Sequence, residues 1–235
     1  MALRLTCYIK EDDWDGSQEF TIPHEIREII GTEAQKLYPS FVEAEGEELE
    51  NKADAFAAAL LMEWVSFKAD MISSGLDPLF LHEKYHKSYI AIISRMATIL
   101  CGKGGFPFWG SVLQEQTNRE KDCFIAGCFH RSPKYLPKVR YAIPNFIFPK
   151  RGQLVPISGN LATCFEQHNP ILIRRLTGLD FWNKYCLSVI IRPVIWANRV
   201  AKIIIIAIPE AYLPRLRPQL QIVSPTYIEE SFQFI

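Results

Sequence analysis

The chain has 235 residues, of which 49% are hydrophobic and 22% charged, with 26 basic and 26 acidic side chains. That composition supports a substantial core and excludes wholesale disorder. The balanced charge argues against a dedicated nucleic-acid binder, which carries a basic excess to displace counterions. The N-terminus lacks a secretory signal, and no run approaches the ~20 apolar residues needed to span a bilayer. Six cysteines in a chain this long do not resemble a small disulfide scaffold. The expectation is a soluble cytoplasmic protein with reduced thiols and no membrane partner.

Along the chain, residues 2–10 and 18–22 read as short strands around an acidic turn at Asp12–Gly16. Pro23 to Ile30 reads as a short helix, with Pro23 in its first turn and Gly31 as its stop. Glu43–Glu50 leads into a longer helix over 48–73, with Ala53, Ala57, Leu60, Leu61, Trp64 and Val65 as its apolar stripe. Asp77 caps a further helix, and Pro78 fills its first turn, where a missing N–H costs nothing. That helix is expected to run to Leu100, with Leu81, Tyr85, Ile92, Met96 and Ile99 on one face.

The glycines at 102, 104 and 105 lack phosphate-loop spacing and read as a helix stop. Phe106-Pro-Phe-Trp109 is an aromatic loop that either packs on the sheet or offers apolar surface to a partner. After residue 121 the period becomes strand-like. Cys123–Phe129 and Val139–Phe148 read as strands, the second interrupted by Pro144. A helix over Gly159–His168, a strand at Ile171–Ile173 and a helical turn at Asp180–Tyr185 follow. Leu187–Trp196 and Val200–Ile208 form a hairpin around Ala197-Asn198-Arg199. Both strands are apolar on both faces in places, so at least one is central. Three prolines after residue 213 argue against a long closing helix.

Charge is unevenly placed. Residues 11–50 hold thirteen acids against Arg27 and Lys36, whereas 131–151 hold six basic residues and no acid. These are solvated faces, one half docking on the other, or a basic patch for an anionic partner.

The run from Gly159 through Asn169-Pro170 to Ile173 is similar to the GAF pattern of a glycine-led helix, a turn and a short apolar strand. Ser188 to Val194, with Pro193, followed by Val200 to Ile206, resembles the closing hairpin of that family. The resemblance covers roughly residues 78–208 and makes 123–129 the family's first strand. It implies an α/β fold: a GAF-like antiparallel sheet flanked by helices, with a helical N-terminal region. The boundaries expected are 1–77 for a mixed, mainly helical region and 78–235 for the GAF-like domain.

By resemblance, a ligand cavity lies between sheet and helices, lined by Phe124, Asn145, Asn160, Arg174, Arg175, Trp182 and Cys186. Arg174 and Arg175 would hold an anion or simply flank a strand on the surface. The signature of the cyclic-nucleotide branch is missing, and Cys186 lies later than the pigment-bearing cysteine of bilin binders. Neither ligand is therefore implied, and no cofactor is identified. The implied role is a non-enzymatic sensory or regulatory signalling module that binds a small molecule or a regulatory protein. Such modules often dimerise through flanking helices, here 48–73 and 78–100.

Two constellations offer other chemistry. His82-Glu83-Lys84-Tyr85-His86 is a literal H-E-x-x-H. On one helix face His82 and His86 would share a zinc ion, with Glu83 as base on a metal-bound water. A zinc-dependent hydrolase is thus the enzymatic alternative, with Glu115 or Glu120 as the third ligand, opposed by Lys84 and Lys87 in the same strip. Cys128 and His130 share a strand face, and Cys164 and His168 lie one helical turn apart. With Cys123 they are either buried cysteines or a second zinc set. A third reading is a GAF-like interaction scaffold whose pocket is filled by Phe124 and Trp182.

Overall fold

The computed structural model describes residues 15–40, 42, 45–100, 108–116, 123–131, 149, 152–176, 187–212 and 226–229. Among the described residues, five helices precede the first strand: α1 (Asp15–Leu37), α2 (Glu47–Leu61), α3 (Trp64–Ser73), α4 (Pro78–Tyr85) and α5 (Tyr89–Leu100). The strands are β1 (Trp109–Gln116), β2 (Cys123–Arg131), β3 (Leu154–Pro156), β4 (Ile171–Leu176), β5 (Leu187–Trp196), β6 (Arg199–Pro209) and β7 (Thr226–Glu229). Helix α6 (Asn160–Gln167) lies between β3 and β4.

The helical N-terminal half departs from its expected boundaries in three places. Residues 18–22 are helical, not a strand, because α1 begins at Asp15 and runs on past Pro23 and Gly31. An internal proline removes one backbone hydrogen bond and disfavours the helix. Here packing on α2 overrides that local cost. Pro23 and Gly31 are buried on α1, as are Ala53 and Ala57 on α2. Small residues let helix axes approach.

The helix expected over 48–73 is broken at Met62 and Glu63. The Glu63 carboxylate caps α3 by accepting from the Val65 and Ser66 amides at 2.9 and 2.8 Å. Those two bonds hold it below the usual carboxylate range. Arg95 Nε donates to the Met62 carbonyl at 2.9 Å, meeting an acceptor freed where the first helix ends. The break also turns the apolar stripe. Ala53 and Ala57 are buried, but Leu60 and Val65 are exposed, and Phe67 and Met71 take over the inward face.

The helix expected over 78–100 is broken as well. Asp77 does cap α4, accepting from the Leu79 amide at 3.0 Å. However, His86 ends it in a left-handed conformation with φ 50°, and α5 starts anew with the Ser88 hydroxyl accepting from the Ala91 amide at 3.2 Å. The expected inward positions survive the break. Leu81, Ile92, Met96 and Ile99 are all buried.

Among the described residues, the sheet has seven strands in the order β3-β2-β1-β6-β5-β4-β7. All neighbours are antiparallel except β4 and β7, which pair in parallel, so the expected purely antiparallel sheet gains one parallel edge. The strand following α5 is β1, not 123–129, which forms most of the second strand. The β5–β6 hairpin turns at Ala197 and Asn198, whose φ values of 49° and 61° are those of a type I′ turn. Both hairpin strands are interior, and β6 is the middle strand. That position explains its unbroken apolar run: Ile204, Ile206 and Ile208 serve one face, Ile203, Ile205 and Ala207 the other.

Two buried clusters follow. One joins Met62, Phe67, Met71 and Leu76 with α4, α5 and one sheet face, so this core spans residue 77. The second lies on the opposite face, under α6. The expected strands at 2–10 and 139–148 and the turn at 180–185 lie outside the described residues.

Candidate functional site

Of the residues expected to line a ligand cavity, Phe124 and Asn160 fall on the α6 side of the sheet, where a buried apolar cluster lies. Gly159, with φ 54°, precedes α6, and the helix stops at His168, with φ 54°. The glycine-led helix is therefore present, and β4 follows it directly. Facing it are Trp109 and Leu113 of β1, Phe124 and Ala126 of β2, Val155 of β3, Ile171 of β4, and the inward positions of β5 and β6.

Phe124 is fully buried there, its ring 6.2 Å from Phe165 of α6 in an edge-on arrangement. Cys164, also on α6, is fully buried, and loss of water pushes its thiol up to about 12. It stays protonated at neutral pH and acts as a small apolar filler. Ser111 of β1 lies on the same sheet face as Trp109 and Leu113, because side chains alternate along a strand. Its hydroxyl is completely buried and has no hydrogen-bond partner among the described residues. Sequence reading missed it, since a serine in an apolar strand carries no motif.

The remaining expected cavity residues are only partly placed. Asn160 is the first residue of α6. Arg174 and Arg175 lie on β4, where Arg174 stands opposite Glu229 of β7. Asn145, Trp182 and Cys186 lie outside the described residues. Of the possible zinc set, Cys123, Cys128 and His130 are on β2, Cys164 is buried, and His168 is exposed at the end of α6.

The H-E-x-x-H segment is on the other face. The expectation that His82 and His86 share one helix face is not met, because His86 is the left-handed residue that ends α4. His82 Nδ1 donates to the Lys87 carbonyl at 2.6 Å, and its ring lies 4.3 Å from that of Tyr89. Lys84 and Tyr85 both donate to Asp70 of α3, at 2.6 and 2.7 Å. These two bonds hold Asp70 below its ordinary value, while burial, and then Asp70, push the Tyr85 phenol up. Lys87 is buried and donates to Glu19 of α1. The segment thus ties α4 to α3 and α1.

Near it, Arg192 of β5 makes a two-point ion pair with Asp77, at 2.6 and 3.2 Å. Lys202 of β6 lies 5.8 Å from the Tyr89 ring. Burial raises the Tyr89 phenol, with further contributions from Glu83 and Asp77. This pairing fastens the start of α4 to the sheet. Phe108 and Trp109 of the aromatic loop are buried, so they pack on the protein itself.

Among the described residues, no helix is long and apolar enough to cross a membrane. No family model matches the chain, and no curated protein matches it. Among solved structures it is similar to a Mycobacterium tuberculosis transcriptional regulator, with a TM-score of 0.55 at 10% identity. The match covers 94% of this chain and 66% of that one, so the chain spans about two thirds of that protein's length. At this identity the likeness concerns the fold alone, and it agrees with a mixed α/β architecture preceded by helices.

Proposed function

We propose that the chain is a regulatory module with a GAF-like sensory half, which takes a small ligand or a partner protein on the α6 face of its sheet. The observation that carries this reading is the order of elements. A glycine-led α6, a short β4 and an apolar β5–β6 hairpin follow one another, and the hairpin occupies the middle of the sheet. Among the described residues, the helices α3 to α5 pack on the opposite face and α6 packs on this one. A regulatory role is also in keeping with the structural neighbour, itself a transcriptional regulator. The GAF resemblance, the cytoplasmic location and dimerisation through the flanking helices belong to this same reading.

In this reading the α6 face supplies apolar enclosure, with Phe124 as wall, and the buried Ser111 hydroxyl as a polar anchor. Signal passes when a ligand favours one placement of α6 over another, since a ligand shifts an equilibrium only by its differential affinity. Native mass spectrometry of the protein purified without chelator tests this. An organic adduct that is retained by the native chain and weakened by Phe124→Ala is the expected result. A bare chain that also gains no thermal stability from a metabolite library would overturn the ligand-binding form of the proposal.

A further inference from the structure

Helices α1 and α2 bring together a set of donors that the sensory reading does not use. His24 and Glu28 lie four residues apart on α1, and Glu50 and Asp54 lie four apart on α2. Each pair therefore shares a helix face. His24 Nε2 faces Glu50 at 3.3 Å and Asp54 at 3.6 Å, while Nδ1 faces Glu28 at 3.8 Å. One donor atom from each of His24, Glu28 and Glu50 lies within 4.8 Å of the others.

The chemistry of this arrangement is unusual for a simple ion pair. A neutral imidazole has one N–H, so only one nitrogen can donate, and the other directs a lone pair at carboxylate oxygen. Protonation satisfies both nitrogens, yet three carboxylates around one imidazolium still leave a net negative group. A divalent cation meets the lone pair that a carboxylate oxygen cannot, and it offsets two of the three negative charges. It accepts an imidazole lone pair together with carboxylate oxygens of Glu28 and Glu50, the three groups whose donor atoms already lie together, with Asp54 facing Nε2 as a further oxygen donor.

We propose that His24, Glu28 and Glu50, with Asp54 as a further oxygen donor, bind a divalent transition-metal ion that pins α1 to α2. An imidazole donor favours a borderline ion such as Zn2+ over Ca2+ or Mg2+, which take all-oxygen sites. Zinc bonds to nitrogen and oxygen run about 2.0–2.2 Å, so ligand atoms in a tetrahedral site stand roughly 3.4 Å apart. Glu50 and Asp54 side chains are each 63% exposed and can close that gap by changing rotamer, whereas His24 is only 16% exposed and is held in place.

The test is calorimetric titration of the chelator-stripped full chain with Zn2+, alongside visible absorption after Co2+ addition. The expected result is one ion per chain, a rise in melting temperature, and a ligand-field band from cobalt bound to nitrogen and oxygen. Glu50→Gln with Asp54→Asn removes two exposed ligands at constant shape and is expected to weaken binding at least tenfold. His82→Ala is expected to leave it unchanged. Binding insensitive to Glu50→Gln/Asp54→Asn, or lost in His82→Ala, would overturn the proposal. So would a chelator-stripped chain that takes up no stoichiometric zinc. The double variant's metal-free circular dichroism and melting curve separate lost ligands from a lost fold.

Discussion

The two faces of the sheet are built on different terms. The helix-covered face is fastened by polar ties at its margins: Arg192 to Asp77, Ser188 to Glu210, and Arg95 to the carbonyl that ends α2. Among the described residues, the α6 face is covered by a helix of eight residues that packs through Leu161, Cys164 and Phe165. Directional ties fix geometry, while apolar contact tolerates sliding and repacking. On the described contacts, one face is tied by directional bonds and the other by apolar packing, and the difference can be put to the test.

Adjacent residues of β6 expose that difference most strongly. Ile206 faces the helices and Ile205 faces α6, and each is 1% exposed. Truncation to alanine costs the transfer term plus a cavity term that depends on how far the site collapses. Ile206→Ala, on the fastened face, is expected to cost about 4 kcal/mol. Ile205→Ala is expected to cost about 2–3 kcal/mol, because α6 can settle into the space. Chemical denaturation of both variants measures the gap, and equal losses would mean that the two faces are equally rigid.

A smaller effect is expected where α5 meets the sheet. A Cβ on Gly110 would stand 2.5 Å from Ile93 Cγ2 and 3.1 Å from the Phe108 ring. The Ile93 methyl sits on a β-branched carbon of a helix, so it has little rotamer freedom. Gly110→Ala is therefore expected to cost about 2 kcal/mol by overpacking. Relief by Ile93→Val, which retains that methyl, should be slight, and relief by Ile93→Ala should be larger. The α6 face should not feel the change, which Cys164 thiol labelling under native conditions would report.

The parts of this molecule that sequence pattern reveals are those in which local and tertiary preferences agree. The β5–β6 hairpin is one, since an apolar run fits a central strand and Asn198 tolerates the positive φ its turn needs. Helix α6 is another, with Gly159 before it and Asn169-Pro170 after it. The breaks at Met62-Glu63 and at His86 were hidden, because the apolar period continues through both. Their signals were Glu63, a glutamate taking the cap position, and Ser88, a serine three residues before the Ala91 amide it accepts from. Strand β1 was masked by Gly110 and by the polar run Gln114-Glu115-Gln116. On the α6 face, the helix and the apolar Phe124 strand beside it were legible as elements, but the buried Ser111 hydroxyl was not. The His24 set was half legible: each i,i+4 pair can be read from its own helix, but only packing brings the two helices together.

The smallest expected effect tests what the α6 face is for. A buried hydroxyl without a partner costs about 1–3 kcal/mol relative to one that is paired. In Ser111→Ala that hydroxyl is gone and the added void is small, so stability is expected to hold or to rise by up to about 1 kcal/mol. A serine paired within the fold would instead lower stability when removed. If the hydroxyl is the anchor of a bound molecule, the same variant separates the two properties: melting of the free chain is unchanged or improved, while retention of the native adduct falls. A loss of stability with adduct retention intact would instead assign Ser111 to the packing of the sheet and leave the α6 face without its polar anchor.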